Sequence, residues 1–346
     1  LFALANSFTM RVCLSMTITQ MVLKAESTEH IIGETCPDTS IKNPATFENS
    51  TGRDRYDWNE ATQGLLLSAF YYGYVITHLP GGLLAEKFGG KWTIGLGLLT
   101  TSLATALTPL AVTVGGAVGL FFIRVIEGAG EGPITPAFVL LLARWVPPNE
   151  RSRFGAMIFG GAQIGNIFGP YISGILLADG GDWANVFYCF GGLGVVWFIF
   201  WTLLCYSTPN THPFISDEEK QYLNENIAAS GLHKKLEPVP FKALLRSAPL
   251  WVLVMAAVTS SVPAVFIILA SYSGCDRFEA VGLFIASMAF MGGFYSSVKI
   301  NAMDIAPNYA GTCSAFVNGI AAISGIITPY LVGLLTPDVN ISESNS

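Results

Sequence analysis

Residues 124 to 132 read Arg-Val-Ile-Glu-Gly-Ala-Gly-Glu-Gly, three formal charges inside a stretch otherwise apolar enough to span a bilayer. At helical spacing, Arg124, Glu127 and Glu131 fall at i, i+3 and i+7 and share one face. A charge at the bilayer centre costs at least ~2.5–3.5 kcal/mol, so such residues persist only where they pair or line a watery cavity. A guanidinium and two carboxylates on one stripe can hold an anion and handle a proton. Close carboxylates resist double ionisation, so one of them can keep a proton near neutral pH. The plainer alternative is a structural Arg–Glu pair that closes one helix onto another.

The composition says what must surround that stripe. Of 346 residues, 51% are hydrophobic and 12% charged, with a mean hydropathy of +0.51, whereas soluble domains carry roughly 25% charge. The 36 glycines suit close helix–helix approach in a membrane. The class is therefore an all-α, polytopic membrane protein embedded in the lipid bilayer. The net charge of −6 sits mostly in connecting loops and gives no footprint for nucleic acid. The cysteines Cys13, Cys36, Cys189, Cys205, Cys275 and Cys313 show no metal-ligand spacing, so no metal site and no cofactor are expected. No cleavable signal peptide is recognisable, and Leu1 already lies inside a hydrophobic run, so the natural amino terminus is expected to be absent.

A span needs about 20 apolar residues. Nine segments qualify, near 1–23, 62–84, 92–113, 116–143, 154–178, 184–206, 249–271, 280–298 and 310–335. The third and fourth are joined by Val114-Gly115-Gly116 without a charge. Lys87 and Lys91 follow the second span, Arg144, Arg151 and Arg153 the fourth, and Lys220, Lys234, Lys235, Lys242 and Arg246 the sixth. Basic short loops stay cytoplasmic, so the amino terminus faces the cytosol and the 24–59 loop faces outside. Asn49-Ser50-Thr51 on that outer loop is a glycosylation sequon, and Asn340-Ile341-Ser342 is a second, less favourably placed one. The organisation expected is a six-helix bundle over 1–207, a polar cytoplasmic loop over 208–248 with a helix start at Ser216-Asp217-Glu218-Glu219, and an incomplete three-helix bundle over 249–346.

Gly82-Leu83-Leu84-Ala85-Glu86-Lys87-Phe88-Gly89-Gly90-Lys91 closes the second span and turns into the third. It resembles the Gly-x-Leu-Ala-Asp-Arg-x-Gly-Arg-Lys loop of the major facilitator superfamily, with Glu for Asp. Gly89 and Gly90 permit a tight turn, and Glu86 can pair with a base or a helix end, so Gly82, Glu86, Gly89 and Lys91 form a candidate cytoplasmic latch. Arg124, Gly128, Gly130 and Gly132 match a second superfamily pattern, Arg-x-x-x-Gly-x-Gly-x-Gly, whose glycines let a neighbouring helix approach. Arg11, Tyr74 to Gly82, Arg124 to Gly132, Trp145 to Arg153 and Asn301 to Gly311 together resemble the anion:cation symporters, the family of sialin, the vesicular glutamate transporters and the type I sodium/phosphate cotransporters. Ala302 and the run Val332 to Pro337 are most similar to its insect phosphate-cotransporter members. The resemblance implies a twelve-helix bundle, of which about nine helices are present. It also implies anion binding at Arg11 and Arg124, and proton coupling at Glu127 and Glu131.

Other residues carry weaker signals. Leu67 stands where the glutamate-specific branch has a histidine. Tyr72 and Tyr74 either face a central cavity or pack as aromatics, with Tyr74 the candidate substrate contact. His78 reads as a buried partner, whereas His30, His212 and His233 read as solvated loop residues, and Lys299 and Asp304 as an edge anchor and a turn cap. From about Val262 the segment 249–271 changes from resembling the family's seventh span to resembling its ninth, so the eighth is missing, and the chain lacks a twelfth.

The function expected is secondary active transport of a small anion, inorganic phosphate or organic, coupled to sodium or protons, in the plasma membrane or an endolysosomal or vesicular membrane. The competing expectation is a non-transporting chain that associates with a full-length relative. A channel or receptor would need a polar pore or a larger outer domain. A membrane enzyme would need clustered His, Asp and Glu at the lipid–water boundary, and no such cluster stands out.

Overall fold

The computed structural model describes residues 1–22, 56–178, 181–228, 245–252, 265–266, 269, 278–287 and 309–335. Asn49, Asn340, Lys299, Asp304, His30, His233, the 253–264 stretch where the two span patterns meet and most of the seventh and eighth expected spans lie outside the described residues.

Six expected spans emerge in order as helices. Helix α1 covers Phe2–Met21. Helix α2, Glu60–Phe88, starts at Asn59, whose side chain accepts from the Thr62 amide at 2.9 Å and so satisfies one orphan donor of the first turn. Gly89, at φ 89°, is the single residue between α2 and helix α3, Gly90–Glu131. Within α3 the chain reverses at Gly116, where φ 55° and ψ −137° divide it into arms 90–115 and 117–131. That reversal is the uncharged joint expected between the third and fourth spans. The second arm continues through Gly132-Pro133 into α4, Ile134–Trp145. Helices α5, Arg151–Leu177, and α6, Trp183–Leu204, follow, the latter capped by Asp182 accepting from the Ala184 amide at 3.0 Å.

The expected helix start in the cytoplasmic loop is present: α7 spans Asp217–Ala228, with the Ser216 hydroxyl accepting from the Glu219 amide at 3.2 Å. His212 departs from the expectation of a solvated side chain. The turn Pro209–Thr211 folds the loop back, and the half-buried imidazole stands 4.8 Å from the Tyr206 ring and 5.9 Å from the Trp145 ring. Helix α8, Ala310–Leu335, lies along α2 and α4.

The stretches Gly90–Trp145, Trp183–Leu204 and Ala310–Tyr330 are apolar and long enough to cross a membrane on length and composition alone. Helices α1, α2 and α5 run beside them and turn polar residues inward: Asn6, Ser7, Ser68, His78 and Ser173 are buried. Leu96, Leu107, Leu110, Leu193, Phe200 and Leu203 are exposed. Polar groups inside and large apolar side chains outside are the arrangement a lipid solvent selects.

Close helix contact places the charged stripe. A Cβ at Gly73 would strike the Val125 carbonyl, and one at Gly128 the Phe70 carbonyl, so α2 and the second arm of α3 interlock at backbone distance. Gly130 does the same for the first arm, with Thr101 Oγ1 2.8 Å and the Gly97 carbonyl 2.9 Å from where its Cβ would be.

Candidate functional site

Arg124, Glu127 and Glu131 are all buried, at 2%, 0% and 2% exposure, as a shared inward face requires. Their pairing differs from a simple trio. Arg124 Nη1 donates to Glu127 Oε2 at 2.7 Å, one turn along the same arm. Glu131 is held by a second guanidinium from another helix, with Arg11 Nη2 of α1 at 2.5 Å from Oε1. Arg124 Nη2 also donates to the Arg11 carbonyl at 3.2 Å, which ties the two pairs together. Each carboxylate thus has its own arginine.

Aromatic rings surround the α1 guanidinium. Arg11 Cζ lies 4.6 Å from the Phe8 centroid, 4.8 Å from Phe70, 5.0 Å from Tyr74 and 5.8 Å from Tyr71. Phe70 also faces Arg124, at 5.5 Å. Ring quadrupoles attract a cation at these distances without using its N–H donors. Tyr74 therefore belongs to the site, whereas Tyr72 packs 6.1 Å from the Phe121 ring. Two residues missed from the sequence support Glu127: Thr105 Oγ1 donates to its Oε1 at 3.2 Å and Thr101 Oγ1 to its carbonyl at 3.3 Å. Their i, i+4 spacing on the first arm was the available signal. His78 is buried as expected, 4.7 Å from the Tyr74 ring and opposite Gly319 of α8.

The candidate latch divides between two neighbours. Gly82 and Glu86 face α8: a Cβ on Gly82 would sit 3.0 Å from the Gly311 carbonyl oxygen, and Glu86 Oε1 accepts from the Thr312 amide at 3.1 Å and from its hydroxyl at 2.7 Å. Thr312 lies in the first turn of α8, so Glu86 satisfies an orphan donor and places negative charge at the positive end of the helix. Glu86 lies beyond the 62–84 span; burial pushes its carboxyl above the usual range, opposed by the two Thr312 bonds and then by Arg144. Lys91 instead meets the end of α6, its Nζ 4.6 Å from the Tyr206 ring and its carbonyl accepting from Trp201 Nε1 at 2.9 Å. Replacing Glu86 by Ala strands both Thr312 donors and is expected to cost about 1–3 kcal/mol, read as a lower thermal midpoint of the purified protein. An unchanged midpoint would leave the carboxylate without a part in holding α8.

Among the described residues, no group of three or more His, Cys, Asp or Glu is placed to hold a metal ion. The site thus brings two guanidiniums, two carboxylates and a set of aromatic rings together inside the helix bundle.

Residues 1–276 match the Major Facilitator Superfamily, and the chain belongs to that superfamily of multi-pass membrane transporters. It is 33% identical over 410 aligned positions to a Drosophila ananassae protein named "Putative inorganic phosphate cotransporter", covering 97% of this chain and 84% of that one. It is 32% identical to Homo sapiens sialin over 412 positions, covering 97% of this chain and 81% of sialin. Within the superfamily the chain is a member of the anion:cation symporters. A solved structure of the proton:xylose symporter XylE superposes with a TM-score of 0.57 at 12% identity, covering 97% of this chain and 87% of that one, a likeness of fold alone. The 410 aligned positions exceed the 346 residues of the whole chain, so the Drosophila relative carries internal segments that face gaps here.

Proposed function

We propose that this chain is a symporter of small anions, inorganic phosphate or small organic anions, driven by protons or sodium. Arg11, Arg124 and Tyr74 bind the anion, while Glu131 and Glu127 carry the coupling. The observation that carries this reading is the Arg11–Glu131 pair, a cation held by rings and occupied by a carboxylate. Arg11 is also the more open of the two, its side chain 18% exposed against 3% for the side chain of Arg124.

The chemistry follows from competition for one fork. An arginine grips carboxylate and phosphate alike, two N–H donors to two oxygens. While Glu131 is ionised it takes the Nη2 donor of Arg11 and neutralises the charge that an arriving anion needs. A proton on Glu131 removes that competitor and frees Arg11 for the substrate. Release of the proton on the other side restores the Arg11–Glu131 pair and expels the anion, so anion and proton travel together. The name of the Drosophila relative, an inorganic phosphate cotransporter, agrees with an anionic cargo.

The test is uptake of labelled phosphate and labelled sialate into proteoliposomes under an inward proton gradient or an inward sodium gradient. Glu131→Gln should leave counterflow exchange in place and abolish stimulation by the proton gradient. Proton-driven accumulation equal in the wild type and the Gln variant would sink this role. The internal gaps against the Drosophila relative favour one other reading, a non-transporting chain that associates with a full-length relative. Co-purification with such a relative, without flux by the isolated chain, would select it.

A further inference from the structure

The four rings around Arg11 are not equally enclosed. Phe8, Phe70 and Tyr74 are buried, at 8%, 1% and 7% exposure. Tyr71 is only half-buried, and its ring reaches across to α8. A Cβ at Gly325 would overlap Cδ1, Cε1 and Cζ of that ring, so Tyr71 rests on backbone that only a glycine leaves open. The same ring has its centroid 5.8 Å from Arg11 Cζ. It therefore stands between the guanidinium and a helix of the second bundle.

The contacts along α2 and α8 place this seat. The two helices run antiparallel: Glu86 meets Thr312, Gly82 meets Gly311, His78 meets Gly319 and Tyr71 meets Gly325. From Glu86 to Tyr71 α2 rises about 22 Å, and from Thr312 to Gly325 α8 rises about 20 Å. The pair is thus fastened near its cytoplasmic end by a carboxylate and, toward the end expected outside, by a ring. Between them the fit is looser, with His78 Cδ2 3.7 Å from where a Gly319 Cβ would be. Two bundles that rock about a midplane site part at one end while they stay closed at the other. Arg11 lies at the level of the ring, not of the carboxylate.

We propose that Tyr71 is a positioning residue of the transport cycle: seated on Gly325 it closes the Arg11 site toward the outside, and withdrawal of α8 opens it. This rests on the reading of Arg11 as the group that binds the anion. Tyr71 acts through the guanidinium, which its ring attracts on one side, and through α8, which holds the ring in place on the other. The ring and not its hydroxyl does this, so phenylalanine should serve as well as tyrosine.

The test uses the full chain carrying Ala322→Cys in intact cells, with a membrane-impermeant thiol reagent outside and the labelling of the natural cysteines subtracted. Ala322 is half-buried and one turn from Gly325 toward the cytoplasmic end of α8. Gly325→Ala, which overpacks the seat, should speed its labelling about five-fold or more. Tyr71→Leu should do the same, because its side chain does not span the gap, whereas Tyr71→Phe should label as slowly as the wild type. In permeabilised cells Cys313, buried beside Thr312, should stay protected in every variant. In phosphate uptake Gly325→Ala should lower kcat without raising KM, since closure slows while Arg11 remains intact. Unchanged labelling in Gly325→Ala overturns the proposal, as does Tyr71→Phe labelling as fast as Tyr71→Leu. Cys313 labelled as readily as Ala322→Cys also overturns it, because α8 would then have left altogether. Labelling needs no transported anion, so a failure of the seat is read separately from a failure of anion transport.

Discussion

Arg11→Gln is expected to raise the KM for anion uptake roughly thirty-fold or more, because losing one member of a buried, hydrogen-bonded charge pair costs about 2 kcal/mol or more. The substitution also leaves Glu131 without its 2.5 Å partner, so the single variant mixes lost binding with a stranded carboxylate. The double variant Arg11→Gln, Glu131→Gln separates them. If Arg11 only fastens α1 to α3, the double variant should recover both thermal stability and counterflow exchange. If Arg11 holds the substrate, stability returns and counterflow exchange does not. Arg11→Lys should fall between, since an ammonium keeps the charge and its attraction to the four rings but loses the planar fork.

The second large effect concerns the deeper pair and is mainly one of stability. Arg124→Met leaves the fully buried Glu127 carboxyl without its cationic partner, the Thr105 hydroxyl standing 3.2 Å from its Oε1. Breaking a buried pair from one side costs about 3–5 kcal/mol, whereas replacing both members by apolar side chains of similar volume is often neutral. Arg124→Met should therefore lower the denaturation midpoint strongly, and adding Glu127→Leu should restore most of it. Uptake should stay lost in the double variant, because Arg124 Nη2 also anchors the Arg11 carbonyl and so the position of the outer pair. A double variant that unfolds as readily as the single one would mean the pair contributes more than mutual neutralisation.

How much of this was legible beforehand follows from the range over which sequence patterns act. The shared face of Arg124, Glu127 and Glu131 is a property of one helix, and spacing alone gives it. The reversal at Gly116 was marked by glycines and missing charge, and the start of α7 by a serine followed by acids. The partner of Glu131 was not legible, because Arg11 is 120 residues away and helical periodicity says nothing about how two helices are rotated toward each other. The rings around Arg11 come from α1 and α2 and were hidden for the same reason. Glu86 was readable as a group seeking a base or a helix end, but only the docking of α8 selected the helix end. His212 misled because a loop position was taken for a wet one, while a proline-led turn folds it against Tyr206 and Trp145.

The reversal at Gly116 also bears on how the polypeptide enters the membrane. Val114 and Val118 beside it are 82% and 66% exposed, and no lysine, arginine or acid stands between the arms to moor the bend in aqueous surroundings. Neither arm has its own anchor on that side, so the two should leave the translocon side by side as a single folded unit, with the second arm's ionic groups already shielded by its twin.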